Sequence, residues 1–305
     1  MKLLLTGATG FIGKKLLNIS NNYSAVSDIL VLSRKTVPTH NHKVFASLFD
    51  VTAEHLTGFD VFIHLAGIAH SPLTSDSDYE LYNTQLTLHL AKEAVKANIK
   101  RFVFVSSIGV NGTCTQAGGI SVDDSVNPHN SYSQSKYDAE VGLNKIADET
   151  GLEVVIVRPT LVYGPGAPGN FGLLTKLVQK LPFLPFGVVN NKRDFIAVQN
   201  LADLLITCAK HPNAAGNTFL ASDGETVSTK EFTNEIANGL KKSIFQLPIP
   251  VSLMRIAAKY LGKSALIEQL VGDLEVDSSN LQAVLGWQPP YTMEQVMSYL
   301  NESIK

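Results

Sequence analysis

Thr6-Gly7-Ala8-Thr9-Gly10-Phe11-Ile12-Gly13 follows directly on the apolar run Leu3-Leu4-Leu5. Residues 2–6 read as a buried strand. Residues 11–20 read as a helix, with Ile12, Leu16, Leu17 and Ile19 on one side. The glycines between them are spaced G-x-x-G-x-x-G, and each has a physical task. Gly7 permits a tight turn, Gly10 lets the backbone approach a ligand closely, and Gly13 lets helix and strand pack against each other. N–H groups at the helix start have no partner within the helix and face outward with the positive end of its dipole, which suits a pyrophosphate. Gly7, Thr9, Gly10, Phe11, Ile12 and Gly13 therefore form a candidate dinucleotide-binding set.

Outward from that turn, short apolar runs alternate with helical patterns. Strands are expected at 29–33, 61–66, 101–106 and 153–158, with helices at 78–97 and 133–149. Strands apolar on both faces and separated by helices predict a parallel sheet covered on both sides. The fold expected is α/β, a doubly wound parallel Rossmann sheet with a smaller C-terminal substrate-binding domain. Gly/Pro-rich 164–172, with PFLP at 182–185 and PIP at 248–250, marks the change of character. The division expected is 1–165 with 194–221 for the nucleotide-binding domain, and 166–193 with 222–305 for the substrate domain.

Twenty-five basic and 27 acidic side chains, with no like-charge block, leave no footprint for nucleic acid. The cysteines, Cys114 and Cys208, lack metal-ligand spacing and read as packed thiols in a reducing compartment. No metal is expected. The chain shows neither a secretory leader nor a run of ~20 apolar residues, so a cytoplasmic protein without a membrane partner is expected.

At the end of the second strand stands Leu32-Ser33-Arg34-Lys35. The carboxylate that holds an NAD ribose is missing there, and Arg34 can pair with a 2′-phosphate, so NADP(H) is favoured over NAD(H). Strand 101–106 runs into Ser106-Ser107, and Tyr132-Ser133-Gln134-Ser135-Lys136 follows. On a helix Tyr132 and Lys136 share a face. A neighbouring ammonium is expected to lower the phenol's pKa, and a strand-end serine can hydrogen-bond the reacting oxygen. That set suits hydride transfer with Tyr132 as proton donor or acceptor. His70 is placed either at a substrate pocket or on a surface loop, and His64 reads as a core histidine. Arg193 can bind an anion or pair with Asp194.

TGATGFIG at 6–13, HLAG at 64–67, SSIGVNG at 106–112, YSQSK at 132–136 and RPTLVYGPG at 158–166 resemble the extended short-chain dehydrogenase/reductases, the NAD-dependent epimerase/dehydratase family, over essentially the whole chain. NFGLL at 170–174, RDFIAVQNLADLL at 193–205 and TFLASDGETVST at 218–229 are similar to a narrower group, the UDP-N-acetylquinovosamine 4-dehydrogenases or 4-keto-reductases. UDP-glucose and UDP-N-acetylglucosamine 4-epimerases are related to these. The resemblance implies that Ser107 is the catalytic serine, and that Asn83 lies near the nicotinamide ribose. It implies that Leu65, Ala66 and Gly67 line the cofactor, with Pro159 and Leu161 near the carboxamide. Asn111 would face substrate where relatives carry a V-Y-G tyrosine, and Asn170 and Arg193 would contact the diphosphate. The narrower group tends to have lysine where this chain has Gly109.

The activity so implied is NAD(P)-dependent chemistry at C4 of a nucleotide sugar. One form is reduction of a UDP-4-keto-6-deoxy-N-acetylhexosamine to UDP-N-acetylquinovosamine. The alternative is a UDP-sugar 4-epimerase that retains its NAD. A non-catalytic dinucleotide sensor is disfavoured, because both Tyr132 and Lys136 are present. A homodimer through helices 78–97 and 133–149 is expected from the resemblance.

Overall fold

The computed structural model describes residues 1–301 except 39, 70–73 and 116–117. In chain order the strands are β1 (Lys2–Thr6), β2 (Asp28–Ser33), β3 (His42–Val44), β4 (Val61–His64), β5 (Arg101–Val105), β6 (Glu153–Pro159), β7 (Leu161–Tyr163), β8 (Phe183–Leu184), β9 (Arg193–Ala197), β10 (Thr218–Ala221), β11 (Thr226–Val227) and β12 (Phe245–Gln246). The helices are α1 (Phe11–Ser20), α2 (Ala53–Leu56), α3 (Asp76–Tyr79), α4 (Leu86–Lys96), α5 (Ser131–Thr150), α6 (Gly169–Lys180), α7 (Val198–Lys210), α8 (Thr229–Gly239), α9 (Val251–Tyr260), α10 (Ser264–Val271), α11 (Ser279–Leu285) and α12 (Met293–Ser298).

Seven strands form one parallel sheet in the order β3-β2-β1-β4-β5-β6-β10. Successive side chains on a strand point to opposite faces, and here both faces are buried. Leu3, Leu5, Val103, Val105, Val155 and Val157 enter a core shared with Leu16 of α1 and Leu201 of α7. Their neighbours Leu4, Phe62, Phe102, Phe104 and Ile156 enter a second core with Leu90 of α4 and Leu143 of α5. This double coverage is why the strands read as unbroken apolar runs. The strand order reverses at β1 and β4, so the ligand crevice of such a sheet opens beyond their carboxyl ends.

The helix expected over 78–97 is α3 and α4 joined by a π-helical segment at Glu80–Gln85. The strand expected to reach Ala66 ends at His64, and Leu65–Ala66 instead packs on the glycine turn. The loop expected over 164–172 gives way to α6 at Gly169. Within PFLP, Phe183–Leu184 forms a parallel ribbon with Phe245–Gln246. The flanking prolines stand outside the two paired residues, where their missing N–H groups cost nothing.

Packing crosses the expected division of the chain in both directions. β7 belongs to a three-stranded sheet with β9 and β11 rather than to the large sheet. Leu281, Leu285 and Trp287, from the C-terminal stretch, pack in the core beneath α1 and α7. Asp223 ties these layers together. Its buried carboxylate accepts from the Tyr163 hydroxyl at 2.9 Å, from Asn200 at 2.8 Å and from the Ala197 N–H at 3.0 Å. Cys208 is buried, whereas Cys114 is exposed in a surface loop, so only one of the two thiols is packed.

Candidate active site

Gly7 has φ +73°, and a Cβ there would lie 2.5 Å from the Leu65 carbonyl carbon. A Cβ on Gly13 would lie 2.3 Å from the Gly7 carbonyl oxygen. Turn, helix and the segment after β4 are thus in backbone contact, and only glycine fits either position. Gly10 is the N-cap of α1 and supplies no side-chain cap, and the first turn carries no acid. The N–H groups of Phe11, Ile12 and Gly13 are left for an anionic ligand. A dinucleotide's pyrophosphate fits this cradle. Arg34 is exposed just past the end of β2. Beside α1 a cleft of about 680 Å³ is lined by Phe11, Lys14, Lys15 and Gln199. The Gln199 Oε1 is buried there without a hydrogen-bond partner, and no sequence signal had singled it out.

From Thr6, the residue before the turn, a hydrogen-bonded chain runs to the helix that carries Tyr132. Thr6 Oγ1 is 2.7 Å from His64 Nδ1, and His64 Nε2 is 3.1 Å from Thr87 Oγ1. Thr87 spends its hydroxyl proton on the Asn83 carbonyl at 2.7 Å. It must therefore accept from His64, which fixes the imidazole as the Nε2–H tautomer with Nδ1 accepting from Thr6. Burial, helped by the Lys136 charge, depresses the His64 pKa to about 3 and keeps the ring neutral. His64 is a core histidine satisfied at both nitrogens. Asn83 is fully buried in the π-helical segment. Its amide accepts from the Ile68 N–H at 2.8 Å and donates to the Ile68 carbonyl and to Ser135 Oγ, each at 3.1 Å. Ser135 in turn donates to the Tyr132 carbonyl at 2.8 Å.

Helix α5 starts where Asn130 and Ser133 form a reciprocal capping box, Asn130 Oδ1 accepting from the Ser133 N–H at 2.8 Å. Capping fixes the first turn and hence the aim of Tyr132. The Tyr132 hydroxyl hydrogen-bonds Ser107, which follows the end of β5. Its ring meets Tyr79 edge-on, with centroids 5.9 Å apart. One helical turn on, buried Lys136 donates to the Val105 carbonyl at 3.0 Å and lies 4.7 Å from the centre of the Phe104 ring. A Cβ on Gly67 would lie 2.9 Å from Asn83 Oδ1 and 3.5 Å from Lys136 Nζ. Ser107, Tyr132, Lys136, Asn83 and Gly67 thus converge at the carboxyl ends of β4 and β5.

Burial lowers the Lys136 pKa to about 8, against the pull of Glu140. For Tyr132 the expected effect of the ammonium is not what the structure shows. Burial raises the phenol's pKa, and Ser107 rather than Lys136 is the group that opposes the rise. The Lys136 ammonium donates one of its three N–H groups to the Val105 carbonyl.

Residues 3–221 match the NAD dependent epimerase/dehydratase family. The chain belongs to this family. A UDP-glucose 4-epimerase of Vibrio cholerae is 40% identical, over 96% of this chain and 92% of that one. A GDP-6-deoxy-D-talose 4-dehydrogenase of Aggregatibacter actinomycetemcomitans is 27% identical, over 100% and 97%. Among solved structures, a UDP-glucuronic acid 4-epimerase from Bacillus cereus in complex with NAD superposes with a TM-score of 0.79 at 18% identity, all of both chains being covered. That likeness establishes the shared fold.

Pro159 is the last residue of β6, paired with Ala221 of β10, and Leu161 begins β7 two residues on. Asn111 is buried; its Oδ1 accepts from Arg158 at 3.0 Å, while its Nδ2 has no hydrogen-bond partner among the described residues. The same Arg158 forms a buried two-pronged ion pair with Glu140 of α5, with bonds of 3.0 and 2.5 Å. Asn170 donates to Gln269 at 2.9 Å. Arg193 is buried and donates to the Gly272 carbonyl at 2.9 Å. It makes no salt bridge with Asp194, whose oxygens take the Thr226 hydroxyl and the Val276 N–H. His70 lies outside the described residues.

Proposed function

We propose that this chain performs nicotinamide-dependent chemistry at C4 of a nucleotide sugar, with 4-epimerisation of a UDP-hexose as the net reaction. The observation that carries the proposal is the Tyr132–Ser107 hydrogen bond, set one helical turn from buried Lys136 at the crevice. The 40% identical relative named a UDP-glucose 4-epimerase supports the net reaction. The cradle of Gly7, Gly10 and Gly13 holds the dinucleotide, and Leu65–Gly67 and Asn83 form the wall beneath its nicotinamide half. A bound nicotinamide would supply reversible hydride exchange at C4; for net epimerisation the 4-keto sugar must turn between oxidation and reduction so that its opposite face receives the hydride. Tyr132 takes the proton of the C4 hydroxyl on oxidation and returns it to that oxygen on reduction. Ser107 holds the same oxygen in place. Lys136 places a positive charge beside the site, and the Thr6–His64–Thr87–Asn83–Ser135 chain holds helix α5 in register with the phosphate turn. Contact of the diphosphate by Asn170 and Arg193 belongs to the same proposal and requires Asn170 to leave Gln269 and Arg193 to use N–H groups beyond the one held by the Gly272 carbonyl; a dimer through α4 and α5 belongs to it as well.

The second reading is net 4-keto reduction of a UDP-4-keto-6-deoxy-N-acetylhexosamine with NADP(H). Arg34 after β2 and the talose 4-dehydrogenase relative favour it. One pair of assays separates them. UDP-glucose or UDP-N-acetylglucosamine is incubated with the purified protein and the C4 epimer sought by NMR. In parallel, absorbance at 340 nm is followed with NADH or NADPH and the 4-keto sugar. Epimer without added cofactor supports the proposal. Stoichiometric cofactor consumption without epimer overturns it in favour of the reductase.

A further inference from the structure

Of the thirteen large apolar side chains that are exposed among the described residues, ten fall between Leu173 and Leu266, in the smaller lobe that α6, α8, α9 and α10 build around a hydrophobic core of their own. The densest run is on α9 and the turn after it. Leu253, Ile256 and Tyr260 lie at i, i+3 and i+7, one stripe of the helix at 100° per residue. Met254 and Ala258, on roughly the opposite side, are the residues α9 buries against the lobe. The helix therefore carries two apolar stripes, one packed and one facing out. Tyr260 is 88% exposed and the following Leu261 71%. The ribbon that leads into α9 repeats the pattern at its own scale. Phe183 and Phe245 are paired across it, and both are exposed.

The chain segments that form this surface are one-sided in charge, Glu268 of α10 excepted. No Asp or Glu occurs between Glu235 and Glu268, although the whole chain carries more acids than bases. That stretch contains Lys241, Lys242, Lys259 and Lys263. Its fifth cation, Arg255, is paired with Glu268 at 2.7 Å. Between Glu153 and Asp194, which bound the other half of the ribbon, there is again no acid, while Lys176 and Lys180 on α6 are exposed. Lysines flanking an outward stripe of Leu, Ile and Tyr are the composition of a helix that lies in the headgroup layer of an anionic bilayer. Outward-standing single side chains on a helix suit insertion between lipids.

We infer that the smaller lobe docks peripherally on anionic membrane surfaces through α9, the turn after it and the β8–β12 ribbon. No helix among the described residues is long and apolar enough to cross a membrane, so the attachment is to one leaflet. The catalytic proposal is separate, since none of these residues belongs to the active site.

The test is co-sedimentation of the full-length protein with phosphatidylcholine vesicles, with and without phosphatidylglycerol. The protein is expected on the anionic vesicles alone, with binding that weakens as salt is raised. Lys259→Glu with Lys263→Glu is expected to reduce partitioning at least tenfold, given about fivefold per lysine near such a surface. A triple variant, Leu253→Ser, Ile256→Ser and Tyr260→Ser, is expected to abolish it, with the circular dichroism spectrum and the catalytic rate unchanged. Wild-type protein that stays in the supernatant overturns the proposal, as does triple-variant protein that still pellets. If wild type ignores vesicles and the triple substitution instead shifts its mass in analytical ultracentrifugation, the surface joins two copies of this chain and the lipid proposal falls.

Discussion

The side-chain amide of Asn83 donates to the hydroxyl of Ser135 across 3.1 Å, and so joins a π-helical segment to the helix that carries Tyr132 and Lys136. A π-helical segment interrupts the regular helical bonding and is frequent at functional sites. Here it sets Asn83 between Ile68 and Ser135, beside the position that Gly67 leaves open.

Asn83→Leu leaves the Ile68 N–H and C=O without their side-chain partner, while the Ser135 hydroxyl keeps its bond to the Tyr132 carbonyl. Each unsatisfied group costs about 1–3 kcal/mol. A thermal melt should show a fall in Tm, and kcat should drop as α5 loses its register. Asn83→Asp, which keeps the acceptor for the Ile68 N–H, should be the milder change in the same melt.

Tyr132→Phe should leave the melting curve close to wild type, since the hydroxyl's partner Ser107 can turn to water. Turnover should fall about 10²–10⁴-fold, the usual worth of a positioned acid–base group. Retained activity would remove Tyr132 from the proton path.

Two glycine substitutions separate folding from binding. Gly13→Ala drives a Cβ to 2.3 Å from the Gly7 carbonyl oxygen and should destabilise the ligand-free chain by about 1–3 kcal/mol. At Gly10 the nearest atom to a Cβ is 3.1 Å away, so Gly10→Ala should fold nearly as well. It should still bind NAD(H) weakly by calorimetry, because its methyl group obstructs the close approach to the pyrophosphate.

Burial raises the Asp223 pKa from 3.8 to about 6. Between those values the folded chain holds a proton that the unfolded chain has released. Its contribution to stability is therefore full below about pH 4 and is lost as pH rises through about 6, by about 3 kcal/mol. Urea unfolding of wild type and Asp223→Asn from pH 4 to 7 should show that slope in wild type and its absence in the variant.

Glu140→Ala strands the buried Arg158 guanidinium and should cost about 3–5 kcal/mol in urea unfolding. Glu140→Leu combined with Arg158→Met should cost clearly less than the single change. Equal losses would show that the ion pair contributes only through its packing.

The central sheet was legible because both its faces are buried, so each strand announces itself as an apolar run. The glycine turn and the Tyr132–Lys136 spacing were legible because their geometry is local. What escaped sequence reading depends on distant partners. The π-helical segment exists where Asn83 meets Ser135, 52 positions away. The tie between Asn111 and Arg158 escaped because it joins a loop to β6, 47 positions away. The ribbon hidden in PFLP needed Phe245 and Gln246, whose own stretch carries little strand signal. The rise in the Tyr132 pKa escaped because the burial that causes it is made by residues distant in sequence, Tyr79 among them.

Trp287 is the chain's one tryptophan. It is buried against the sheet's α1–α7 side, and its indole N–H donates to Asp203 at 2.6 Å. Intrinsic fluorescence excited at the indole band therefore has a single source, far along the chain from the residues it packs against. Its emission reports whether the C-terminal segment has closed over the nucleotide-binding half. A red shift during denaturation marks detachment of that segment, and a stopped-flow trace of its recovery times the last long-range closure of the fold.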